Sequence, residues 1–113
     1  MMFDVEHVEQ LLIQCAKQGV DIRYSEAMGA LGSCFTRPKM RQLCRVLGEV
    51  DARAVENGEP ELAVLVVRGN DRLPGDGWWS GRTSYRGDWT GEQAVKYIRR
   101  IQHKAYKYWQ KSV

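Results

Sequence analysis

The stretch ELAVLVV, residues 61–67, runs from Glu61 through six consecutive apolar side chains and is bounded by Pro60 and Gly69. An unbroken apolar, β-branched run of this length predicts a strand buried on both faces. One strand cannot satisfy its own backbone donors and acceptors, so a partner is required. Val20-Asp21-Ile22-Arg23-Tyr24 alternates apolar and polar and offers one, and the segment around Trp78 and Trp79 offers another.

Helical patterns surround this strand. Asp4 is placed to cap a helix over residues 4–18, in which Val5, Val8, Leu12 and Cys15 recur at three- and four-residue steps before Gly19 ends it. Ser25 is placed to cap a short second helix over residues 26–31, closed by Gly32. A third helix is expected over residues 38–56, opened by Pro38, with Met40, Leu43, Leu47, Val50 and Ala54 on one face and Asn57-Gly58 at its end. Gly48 interrupts that helix and suggests a close approach of another backbone. Thr90-Gly91-Glu92-Gln93 has the capping-box pattern and predicts a long final helix. Its apolar side carries Ala94, Ile98, Ile101, Ala105 and Tyr108, opposite Lys96, Arg100, Lys104, Lys107 and Lys111. The expected class is α+β: one domain over residues 1–113, three N-terminal helices and a long C-terminal one, with a small two- or three-stranded sheet.

A chain of 113 residues, 43% of them hydrophobic, suits one core. It contains neither a span of about 18 apolar residues nor the basic-then-apolar start of a secretory signal, which predicts a cytoplasmic protein with no membrane partner. Charge is unevenly distributed. Residues 1–67 carry seven Lys/Arg against ten Asp/Glu, and residues 68–113 carry ten against four, together with eight of the eleven aromatics. Basic charge interleaved with aromatics suits phosphate backbones and bases, or an acidic protein partner.

Enzyme signatures are missing. The chain has no P-loop, dinucleotide fingerprint, HExxH or G-x-S-x-G, and Gly75-Asp76-Gly77 reads as a turn. Cys15, Cys34 and Cys44 lack the spacing of a zinc site or disulfide framework, so no metal or other cofactor is expected. Cys15 and Cys44 read as core residues and Cys34 as a loop residue. The carboxylates Glu49, Asp51, Glu56, Glu59 and Glu61 read as a solvated face, and Asp71, Asp76 and Asp88 as turn residues. The strongest signal is the basic face of the last helix, whose lysines and arginines suit neutralisation of phosphates, with Arg82, Arg86 and Arg99 extending it.

The residues Gly19-Val20, Ile22-Arg23-Tyr24-Ser25-Glu26, Leu31-Gly32, Arg41 and Val66-Val67 resemble, in order, the winged-helix DNA-binding domain of alkylguanine DNA alkyltransferases and alkyltransferase-like proteins. The resemblance implies a winged-helix-like core on duplex DNA. Tyr24 would contact phosphate, Arg41 would enter the minor groove, and Arg37 and Lys39 would lie on nearby phosphates. The family's Pro-Cys-His-Arg is here Leu62-Ala63-Val64-Leu65, which removes the alkyl-accepting cysteine and with it alkyl transfer. The run Leu65-Val66-Val67 followed by Leu73-Pro74-Gly75-Asp76-Gly77-Trp78 also resembles small uncharacterised bacterial and phage proteins, a likeness that implies no mechanism.

Two functions follow. One is a non-enzymatic nucleic-acid-binding module contacting duplex DNA through Tyr24, Arg37, Lys39, Arg41, Arg82, Arg86, Lys96, Arg100, Lys104 and Lys107. The other is a small protein-binding module, such as a phage or mobile-element inhibitor of a host enzyme, that uses Trp78, Trp79, Arg82 and Tyr85, with Trp89, as its interface. A homodimer through exposed aromatics is compatible with both. Of the adjacent tryptophans, one should pack on the strand and the other cover an edge, and Trp89 should act as a hydrophobic staple on the last helix.

Overall fold

The computed structural model describes residues 3–33, 36–80, 82, 85 and 87–111. α1, Val5–Gln18, starts where Asp4 accepts the Glu6 N–H and stops at Gly19, whose φ of 70° is open to glycine at little cost. Ile22–Arg23 form β1. α2, Tyr24–Ala30, begins two residues before the position expected from a Ser25 cap, because Glu26 reaches back to accept the Arg23 N–H at 3.0 Å. α3, Arg37–Glu56, is capped by Thr36, which accepts the Lys39 N–H, and buries Leu43, Val46, Leu47, Val50 and Ala54.

The decisive stretch is buried along its apolar length, as expected, but most of it is not a strand. Ala63–Leu65 coil into a 3₁₀ turn, and Val66–Val67 alone form β2, paired in parallel with Ile22–Arg23. Side chains explain the change. One Asp51 carboxylate oxygen accepts the N–H groups of Leu62 and Ala63 at 2.8 and 3.0 Å, and Gln102 donates to the Val64 carbonyl at 3.1 Å. Backbone groups that a sheet ladder would have satisfied are satisfied from α3 and the last helix instead.

A second departure concerns the tryptophans. Asp76–Trp79 form a single-turn helix, α4, and not an extended partner strand. α5, Glu92–Lys111, follows, its first turn closed by the Val95 N–H on the Gly91 carbonyl. α1 packs against both α3 and α5, and the 3₁₀ turn touches all three. The result is a mostly helical α+β fold with a two-stranded parallel sheet, its core drawing on α1, α2, α3, α4, α5 and the buried run. Among the described residues no helix is long and apolar enough to cross a membrane.

Candidate nucleic-acid interface

α5 sorts its residues by helical phase. Ala94, Ile98 and Ala105 are buried, as is Gln102, whose amide is held by Val64, while Ile101 and Tyr108 are half-buried. Docking that side on α1 and the 3₁₀ turn leaves the opposite side in solvent. There Lys96, Arg99, Arg100, His103, Lys104 and Lys107 line a shallow, open groove between their own side chains. All six are exposed, and none forms an ion pair among the described residues. Lys111 extends the same basic end. Among the described residues the five Lys/Arg side chains therefore pair with no carboxylate, and their charge is directed outward.

The other expected DNA contacts are dispersed. Arg37 and Arg41 are exposed on α3 and Lys39 is partly so, but none of them lines the α5 groove. Tyr24 requires a correction: it is 5% exposed, packed in the core, and its hydroxyl accepts the Gly75 N–H at 3.1 Å, so it is not placed to meet a phosphate. Arg82 is also committed elsewhere. Its guanidinium pairs bidentately with Glu61 at 2.6 and 2.9 Å and lies 4.0 Å from the Trp78 ring centroid. The Glu61 carboxylate raises the arginine's pKa further, so this charge is permanent and internally paired. Arg86 and Cys34 lie outside the described residues.

The proposed aromatic interface is likewise drawn inward. Trp79 is 2% exposed, donates its indole N–H to the Pro74 carbonyl, and packs edge-on against Trp78 at 4.9 Å between ring centroids. Tyr85 lies 5.1 Å from Trp79 and 4.5 Å from Tyr97. Trp78 is half-buried against the core, so the adjacent pair differs in burial, and a helical turn and not an extended segment produces the difference. Trp89 stacks on Trp79 at 6.3 Å and remains 40% exposed, so its principal aromatic partner is a tryptophan of the preceding turn.

Two polar residues depart from what local pattern suggests. Asp51 is no member of a solvated face: it turns inward to hold the buried run, and burial pushes its carboxyl above the usual range. Gln102, to which the pattern assigns no role, is buried and supports the same run. Both carry a signal: Asp51 is four residues after Leu47, and Gln102 is four after Ile98, in phase with the apolar stripes. Gly48 also differs from expectation, since a Cβ there would meet nothing within 4 Å.

Asp51, Gly48, Tyr24, Cys44, Trp78 and Arg82 border a recess of about 200 Å³ behind the tryptophans. Burial pushes the Tyr24 phenol up to about 12 and raises the Cys44 thiol. The Tyr24 and Cys44 groups favour their neutral forms, and among the described residues neither histidine lines the recess. Cys15 is buried with a similarly raised thiol. No protein-family model, curated protein or solved structure matches the chain.

Proposed function

We propose that the protein is a non-enzymatic duplex-DNA-binding module that lies along the phosphate backbone with the exposed face of α5. The observation that carries this function is the unpaired groove of Lys96, Arg99, Arg100, His103, Lys104 and Lys107. The aromatic-arginine segment, which carries similar residue types, is folded onto itself and competes less well as a contact surface. Arg37 and Arg41 on α3 are exposed and add positive charge of the same kind.

Cations that neutralise phosphates release counterions, so affinity must fall steeply with salt. Five contacts correspond to a slope of about −4.5 in log affinity against log salt, or a loss on the order of several hundredfold between about 50 and 200 mM. Fluorescence anisotropy with a labelled duplex tests this. The triple variant Arg100→Gln, Lys104→Gln, Lys107→Gln should reduce the slope by about 2.7 units while shifting stability by less than about 0.5 kcal/mol, because all three side chains are exposed. Absence of duplex binding at about 50 mM salt, or a slope unchanged in the triple variant, would overturn the proposal.

A further inference from the structure

One edge of the α5 groove continues into a smaller polar pocket. On α5, Arg99, Gln102, His103 and Tyr106 follow the i, i+3, i+4, i+7 spacing that puts side chains on one stripe. That stripe faces Gly19, Asp21 and Arg72, and together they enclose about 230 Å³. Arg99 and His103 line both the pocket and the groove.

A network of hydrogen bonds fixes the far wall. Arg72 has a φ of 55°, the left-handed region, and is the sole non-glycine residue there among the described residues. Such backbone persists where its surroundings over-determine it, and it concentrates at ligand clamps. Here the Arg72 N–H bonds the Arg68 carbonyl, the Arg68 N–H bonds the Leu73 carbonyl, and Asp71 accepts from both the Leu73 N–H and the Arg68 guanidinium. The guanidinium of Arg72 is then fixed by Asp21, which accepts from Nε at 3.2 Å and also from Nη2. Asp21, the single carboxylate lining the pocket among the described residues, is thereby occupied. Arg99 has no ion-pair partner among the described residues, which leaves the pocket net positive. Burial, with the Asp21 charge second, pushes the Tyr106 phenol up to about 12, so its hydroxyl keeps the proton it would donate.

We propose that this pocket binds a phosphate monoester, with Arg99, His103, the Tyr106 hydroxyl and Arg72 Nη1, the terminal nitrogen that the pairing with Asp21 does not use, converging on its three free oxygens. A diester has two oxygens tied into the chain, whereas a monoester carries close to two charges and three strong acceptors, which suits a concave site of several donors. The ester has two sources: the 5′ end of a strand lying in the groove, or a free mononucleotide. The strand-end source rests on the DNA-binding function proposed above; the pocket itself does not.

The test compares one duplex bearing either 5′-phosphate or 5′-hydroxyl ends, and separately titrates AMP and inorganic phosphate while following the amide resonances of residues 72, 99, 103 and 106. Two variants probe the pocket. Tyr106→Phe keeps the ring, and Arg72→Gly suits the left-handed backbone while removing the guanidinium. A strand-end site predicts about tenfold tighter binding of the phosphorylated duplex, reduced to under about twofold in both variants, with binding of the hydroxyl-ended duplex unchanged. Saturable AMP shifts at those four residues without an end preference assign the pocket to free nucleotides. Equal affinity for both ends together with no residue-specific response to AMP or phosphate overturns the proposal. Binding of the hydroxyl-ended duplex is an independent readout, so the groove can stand when the pocket fails, and the AMP titration reports on the pocket if the groove fails.

Discussion

The tryptophan-arginine segment and the exposed face of α5 share a vocabulary of aromatic and cationic side chains, yet they have opposite fates. In the first, Trp79 is buried, Trp78 is roofed by Arg82, and Arg82 is neutralised by Glu61. In the second, five Lys/Arg residues and a histidine share one groove with no paired carboxylate among the described residues. Residue type therefore does not separate a binding surface from a structural clamp. The separation comes from whether the fold supplies a partner, and here the supplier is Glu61 at the end of the acidic half of the chain.

If the tryptophan segment is structural, its removal should cost stability first. Trp79→Ala takes away a fully enclosed indole, its hydrogen bond to Pro74 and its ring contacts with Trp78, Tyr85 and Trp89. Such truncations cost about 3–5 kcal/mol, a large share of the roughly 5–15 kcal/mol by which a domain is stable. Chemical denaturation measures the loss. A change below about 1 kcal/mol would show that the segment is no core lid and would return the tryptophans to the set of binding residues.

Asp51 sharpens the comparison from the acidic side, since it is the carboxylate that folds inward beside the arginine clamp. Asp51→Ala leaves the buried N–H groups of Leu62 and Ala63 without an acceptor and should cost about 2–3 kcal/mol, whereas Asp51→Asn retains a carbonyl oxygen for both. Burial raises the carboxyl of Asp51 from its ordinary 3.8. A folded-state value above the unfolded one contributes stability that is fully present below 3.8 and is lost as pH rises through the raised folded value. Asp51→Asn lacks that loss, so denaturation curves should show the variant gaining on wild type as pH increases from below 3.8. A stability difference independent of pH would mean that the carboxyl is not held in a desolvated site.

Much of the helical framework is legible in the sequence because local rules and burial agree there. Asp4, Gly19 and the stripes of α1, α3 and α5 specify their helices as expected, and Pro38 lies in the first turn of α3, one residue after its start at Arg37. The outward charge of α5 is legible for the same reason, since phase alone sets Arg100 and Lys104 on the exposed side of the wheel, opposite Ile98 and Ala105. Residues 62–65 are not, because an apolar run signals burial without specifying backbone form. Asp51 and Gln102, eleven and thirty-eight residues away from their hydrogen-bond partners in the run, decide that form. Tyr24 and Arg82 are held within the fold by partners, Gly75 and Glu61, that lie 51 and 21 residues away in sequence. Local pattern cannot reveal a pairing that only tertiary structure creates.

The finest test asks whether Arg82 acts in the clamp alone. Arg82→Gln keeps a long polar side chain but removes the bidentate pairing with Glu61 and the cation over Trp78. Both partners are partly buried, so the pair is worth somewhat more than a surface bridge and the cation–π contact adds to it, for a total of about 1 kcal/mol. In a domain of this size that lowers the melting temperature by about 4 °C, which calorimetry resolves. Duplex binding, and its salt slope, should stay at the wild-type value because the arginine's charge is already matched by Glu61. If Arg82→Gln instead weakens binding as much as Lys104→Gln does, the clamp also serves as a contact, and the division between a neutralised segment and an outward-facing helix no longer holds.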